Sequence, residues 1–144
     1  MKKRGLVVDV ACFLFVLLFV YAAASKMLEL DKFETQLGRS PVITRFSSIL
    51  LWLVPGLEIL LALLMFWSKT KLFALYGSFS LMVAFTAYII VILNFSENIP
   101  CSCGGILQDM TWRQHLVFNV IFVLMAVVAV LIYPSNNKNI VAQQ

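Results

Sequence analysis

Apolar residues fill four stretches of this chain almost without interruption: Leu6 to Ser25, Phe46 to Trp67, Leu72 to Phe95 and Trp112 to Tyr133. Each is close to the ~20 residues that a helix, rising about 1.5 Å per residue, needs to cross about 30 Å of hydrocarbon. None shows the period-two alternation of a membrane-barrel strand, so the pattern predicts helices and excludes a β-barrel. The expected fold is all-α: one integral membrane four-helix bundle over residues 1–133, with spans at about 6–25, 46–67, 72–95 and 112–133. The polar residues 134–144 are expected to form a disordered tail.

The segments between the spans refine this picture. Lys2, Lys3 and Arg4 precede an apolar run that ends in Ala22-Ala23-Ala24, an order that also fits a cleavable signal peptide. The run is long enough to span, and its small residues suit close helix packing in lipid, so a retained span is expected. Between spans 1 and 2, Met27, Leu28, Leu30, Phe33 and Leu37 recur at roughly helical spacing in an otherwise polar loop. That spacing predicts an amphipathic helix lying on the outer membrane surface. Basic residues set the orientation. Lys2, Lys3, Arg4, Lys69, Lys71 and Lys138 would lie on one side and Lys26, Lys32, Arg39, Arg45 and Arg113 on the other. The first group is denser, while the second is diluted among Glu29, Asp31 and Glu34, which predicts an N-in, C-in protein.

Composition agrees with a lipid solvent. Hydrophobic residues make up 62% of the 144 positions and charged ones only 12%, too few to cover a soluble core. The net charge of +4 comes from short clusters, without the basic stripe and interleaved aromatics of a nucleic-acid surface.

Chemistry concentrates before span 4, in Asn98-Ile99-Pro100-Cys101-Ser102-Cys103-Gly104-Gly105. On the predicted topology this loop faces the exterior, the oxidising periplasm of a bacterium. Two cysteines one residue apart close a disulfide only with strain, and a strained, exposed disulfide exchanges readily. Gly104 and Gly105 would let the backbone leave both sulfurs accessible. A static clip would stabilise little, because the loop it closes is tiny. A soft-metal site for Cu(I), built from Cys101, Cys103, His115 and Met110, is the third reading.

Span 4 opens with Thr111-Trp112-Arg113-Gln114, the pattern of a capping box with Thr111 as N-cap. This puts His115 in the first turn and Asn119 four residues on, on the same face, which should look into the bundle. His115 could accept a thiol proton, or only hydrogen-bond Asn119 or a loop carbonyl and orient the helix. Glu58 lies deep in span 2, after Pro55-Gly56-Leu57, where a local helix break is expected. An intramembrane carboxylate marks a candidate site, and Lys26 is its expected partner. The pair would fix helix register or relay a proton; a protonated Glu58 bonded to backbone is the other reading. Asp9 would be hydrated near the cytoplasmic surface, and Cys12 would be a small apolar filler.

Taken in order, Ala23-Ala24-Ser25-Lys26 with Phe33, Pro55-Gly56-Leu57-Glu58, and Cys101-Ser102-Cys103-Gly104-Gly105 resemble the MauE branch of the DoxX-like membrane proteins. The likeness covers nearly the whole chain. It departs at Ser102 and Gly104, since the family's loop is closer to Cys-Gly-Cys-Phe-Gly. Met110 to His115, with Asn119, looks like a variant found in Bacteroidetes members. The resemblance implies a part in forming or transferring periplasmic disulfides beside a thioredoxin-like partner, with Cys101, Cys103, His115 and Glu58 as site residues. It further implies the bacterial inner membrane, a link to methylamine users, and quinone as a natural electron acceptor. The alternative function is a non-catalytic membrane anchor or assembly subunit of a larger complex.

Overall fold

The computed structural model describes residues 2–39, 44–95 and 111–141. Helix α1 (Lys2–Leu28) leads through a bend at Glu29 into the short α2 (Leu30–Arg39). A single 3-10 turn at Thr44–Phe46 starts α3 (Ser47–Leu64), which is followed by α4 (Lys71–Phe95) and α5 (Trp112–Val141). No strand occurs among the described residues. Four helices, at Lys3–Leu28, Thr44–Leu64, Lys71–Phe95 and Trp112–Tyr133, are long and apolar enough to cross a membrane. In lipid a helix satisfies its own backbone polar groups, so these segments have no other stable form.

Neighbouring helices in the ring are α1 with α3, α3 with α4, α4 with α5, and α5 with α1; α3 and α4 touch least. Small side chains allow the close approach: Ala11, Ala23, Ala62, Ala74, Ala126 and Ala129 are all buried. Phe15 and Phe19 fill the centre of the ring, and Phe15 meets Phe122 edge to face at 5.3 Å. Cys12 is buried in this cluster, as its apolar setting predicts. Large apolar side chains such as Phe13, Leu17, Trp52, Leu124 and Leu131 point outward, which is what a lipid-facing surface requires.

The two ends of the bundle are tied differently. At one end Lys71 donates to Asp9 at 2.8 Å, Tyr133 donates to the Ser68 carbonyl at 2.9 Å, and Thr70 donates to the Leu64 carbonyl at 2.7 Å. These bonds bring together the start of α1, the α3–α4 turn and the Tyr133 end of the apolar part of α5. The opposite end therefore holds the end of α1, α2, and the starts of α3 and α5. Here α2 folds onto α3. Its Phe33 and Leu37 are buried against the bundle while Asp31 and Lys32 face outward. The expected amphipathic helix is present, but the two buried residues of its apolar face serve the protein interior more than the lipid.

One local expectation is corrected. The α3 helix runs without a break through Pro55, which is buried, and packing against neighbouring helices offsets the backbone bond that a proline removes. The α5 helix extends to Val141, beyond the Tyr133 where the apolar run stops. Once started, a helix adds one hydrogen bond for each residue fixed, so its backbone can outrun the apolar pattern.

Candidate functional site

The polar residues that the sequence places inside the spans converge at the α2 end of the bundle. Lys26 lies in the last turn of α1, where its charge complements the negative end of the helix dipole. Its Nζ donates to Glu58 Oε1 of α3 at 2.8 Å. It also sits 3.5 Å from the Ala22 carbonyl, and 5.9 and 5.6 Å from the ring centres of Phe33 and Phe85. Those two rings give the ammonium a cation–π cage that replaces part of its lost hydration. Glu58 is fully buried, whereas the Lys26 side chain keeps 16% of its exposure. An ion pair in such surroundings persists only because both charges are matched, since either one alone would be far costlier.

From the other side of the bundle, α5 contributes His115 and Asn119. Thr111 N–H donates to Gln114 Oε1 at 2.9 Å, and Gln114 N–H donates to Thr111 Oγ1 at 3.4 Å, which completes the expected capping box. This cap fixes where the helix starts, and so points His115 and Asn119 along one inward face. The Trp112 and His115 rings lie 6.4 Å apart with their planes tilted by 32°. Asn119 is 3% exposed.

All four residues line one cavity of about 290 Å³, together with Ser25, Phe85, Tyr88 and Phe118. Phe33 and Leu37 of α2 also line it. Leu53, Leu57 and Ala84 line it as well and are exposed, so it reaches the outer surface of the bundle between α3 and α4. Two buried polar atoms in this wall, Glu58 Oε2 and Asn119 Nδ2, have no hydrogen-bond partner among the described residues. Buried polar atoms are nearly always paired, so a carboxylate oxygen and an amide donor left open on one cavity call for an explanation.

The structure thus brings together Lys26, Glu58, His115 and Asn119, and places Pro55 within α3, one turn before Glu58. Cys101, Cys103, Gly104 and Gly105 lie outside the described residues, as does Met110, which the copper reading requires. Sequence reasoning missed the Asp9–Lys71 pair and the aromatic cage around Lys26. Nothing in the local pattern at Asp9 names a partner 62 positions away. Phe33 was legible as an apolar position of an amphipathic helix, but its role beside an ammonium was not.

Fold and site together define a four-span integral membrane protein with a buried ion pair and an internal cavity. The family described as methylamine utilisation protein MauE matches residues 4–132, nearly the whole chain, and the protein belongs to that family. Membership ties it, at the level of the family, to methylamine utilisation. No curated protein and no solved structure matches it.

Proposed function

We propose that this protein is the membrane component of a periplasmic thiol–disulfide redox system, exchanging electrons through Cys101 and Cys103 with a thioredoxin-fold partner. The observation that supports it is the inward cluster of Lys26, Glu58, His115 and Asn119 at the end of the bundle where α5 starts. In the chain, Cys103 lies eight positions before Thr111, so the pair is tethered to that end.

The exchange is reversible and balanced. A thiolate of the partner attacks the Cys101–Cys103 disulfide, forming one mixed disulfide and freeing the other cysteine as thiolate. The partner's second thiolate then resolves the mixed disulfide. The partner leaves oxidised by two electrons and the loop is left as a dithiol. The two loop thiolates take up two protons to become thiols; when the pair is reoxidised those protons leave, with His115 as the candidate acceptor and Glu58 as the candidate relay. A quinone in the bilayer is the proposed two-electron acceptor that would restore the disulfide, becoming a quinol as it takes up two protons.

The reading places the protein in the bacterial inner membrane, N-in and C-in. Lys69 and Lys71 share an end with the basic start of α1, and dense basic segments stay cytoplasmic. The cysteine loop would then face the periplasm.

Thiol trapping at controlled redox potential tests the proposal. The pair should change state between the potentials of a strong oxidant and reduced thioredoxin, and Cys103→Ala or Cys101→Ala should accumulate a mixed disulfide with the partner. A pair that never changes state sinks it. Activity that survives Cys101→Ser with Cys103→Ser, in a stoichiometric complex, would favour a non-catalytic anchor instead.

A further inference from the structure

We infer that the cavity between α1, α3, α4 and α5 binds an uncharged, ring-headed lipophile from the bilayer, held by a hydroxyl group between Glu58 and Asn119. Four observations specify this ligand.

Its walls are apolar along most of their extent, with Leu18, Phe19, Leu50, Val54, Leu81 and Met82 among them. A charged or strongly hydrated molecule would lose its water there without replacement. The volume of about 290 Å³ is near the lower bound for sites that enclose a small organic molecule.

The polar end carries one cation and one anion that already neutralise each other at 2.8 Å. A carboxylate or phosphate head would compete with Glu58 for Lys26, and an amine would compete with Lys26 for Glu58. A neutral head disturbs neither.

Within that end, Glu58 Oε2 is an open acceptor and Asn119 Nδ2 an open donor. A hydroxyl is the smallest neutral group that satisfies both, donating to one and accepting from the other. An ether or a carbonyl accepts only, and would leave the carboxylate oxygen unpaired.

Aromatic side chains Phe33, Phe85, Trp112 and Phe118 line the same space, and flat faces favour a flat ring. Leu53, Leu57 and Ala84 are both lining and exposed, so entry is sideways between α3 and α4, from lipid.

The inference rests on the cavity alone and does not require the cysteines to exchange electrons. The test uses the full chain in lipid nanodiscs with two probes, 4-decylphenol and its methyl ether 4-decylanisole, in which a methyl group replaces the hydroxyl hydrogen and so removes the donor. Binding is followed by the change in thermal unfolding midpoint and by tryptophan fluorescence, against empty nanodiscs as the partition control. Expected are saturable one-to-one binding of the phenol and binding of the ether weaker by on the order of tenfold, the effect of one unpaired buried acceptor. Ala22→Phe, which fills the cavity and leaves Glu58 and Asn119 in place, should abolish saturable binding. If that variant fails to fold, Asn119→Leu serves: it removes the N–H donor that both oxygens accept from, so it should weaken the phenol and the ether alike, and unchanged phenol binding overturns the inference. The Cys101→Ser, Cys103→Ser chain should bind the phenol like the parent, so failure of the redox reading leaves this result standing. No saturable binding by the folded parent, equal affinity for the two probes, or full binding by Ala22→Phe overturns the inference. In the first case ordered water alone satisfies Oε2 and Nδ2.

Discussion

Lys26 and Glu58 stand 32 positions apart in the chain and 2.8 Å apart in space, joining the end of α1 to the middle of α3. Glu58 has no solvent exposure, so the two charges depend on each other. The first prediction follows from that dependence. Lys26→Met and Glu58→Gln each remove one charge and leave the other buried, which costs about 3–5 kcal/mol in comparable sites. Lys26→Met combined with Glu58→Gln removes both charges, and should recover most of the loss. Equilibrium unfolding in detergent or nanodiscs gives the four corners of the cycle. Additive losses would show that the pair is not coupled.

The ion pair at the opposite end should behave otherwise. Asp9 and Lys71 also meet at 2.8 Å, but the Asp9 side chain is 65% exposed. Water and salt screen such a pair, and exposed pairs contribute about 0–1 kcal/mol. Asp9→Asn should therefore lower stability far less than Glu58→Gln does, and its effect should shrink further at high ionic strength. A loss for Asp9→Asn equal to that of Glu58→Gln would mean that this end of the bundle is drier than its exposure indicates.

These two pairs also mark what the sequence made legible. Four apolar runs of spanning length translate directly into helices, because lipid admits no other backbone solution for them. Lys26 could be named as partner of Glu58 because both are costly in hydrocarbon and few other charges can reach. Asp9 gave no such signal: near the membrane surface water can hydrate a carboxylate, so the pattern does not demand a partner. Pro55 misleads for a related reason. Its local rule predicts a break, and the packing of a buried Pro55 within α3 overrides that rule. The cavity was not legible at all. Its walls come from five helices, and shape at that scale is fixed by tertiary packing rather than by any local run of residues.

A contact between α3 and α4 carries the third prediction. A Cβ built on Gly77 would lie 2.5 Å from Leu61 Cδ2, closer than real carbons approach, while no other residue is crowded. Gly77→Ala gains about 1 kcal/mol of helix propensity and must displace the Leu61 side chain to do so. In a Leu61→Ala background that displacement vanishes. Gly77→Ala should then be more favourable there than in the parent, by about 1 kcal/mol or more. A double-mutant cycle measured by unfolding reads the difference directly. Equal effects in the two backgrounds would show that Leu61 moves aside without cost.

The start of α5 supplies the last prediction. Thr111 and Gln114 satisfy each other's backbone N–H groups at 2.9 and 3.4 Å, in the same first turn as Trp112 and His115, which line the cavity. Losing one such cap costs about 1 kcal/mol, and the loss stays local, because the remaining turns keep their own hydrogen bonds. Thr111→Ala should therefore accelerate amide hydrogen exchange over residues 112–115 while leaving the centre of α5 protected. Thr111→Ser, which keeps the accepting oxygen, should restore the parental exchange. Since His115 sits in that first turn, fraying there loosens its ring against Trp112, and the two variants should differ in the His115 side-chain resonances as well. Unchanged exchange in Thr111→Ala would mean that packing of Trp112 and His115, rather than the cap, sets where the helix begins.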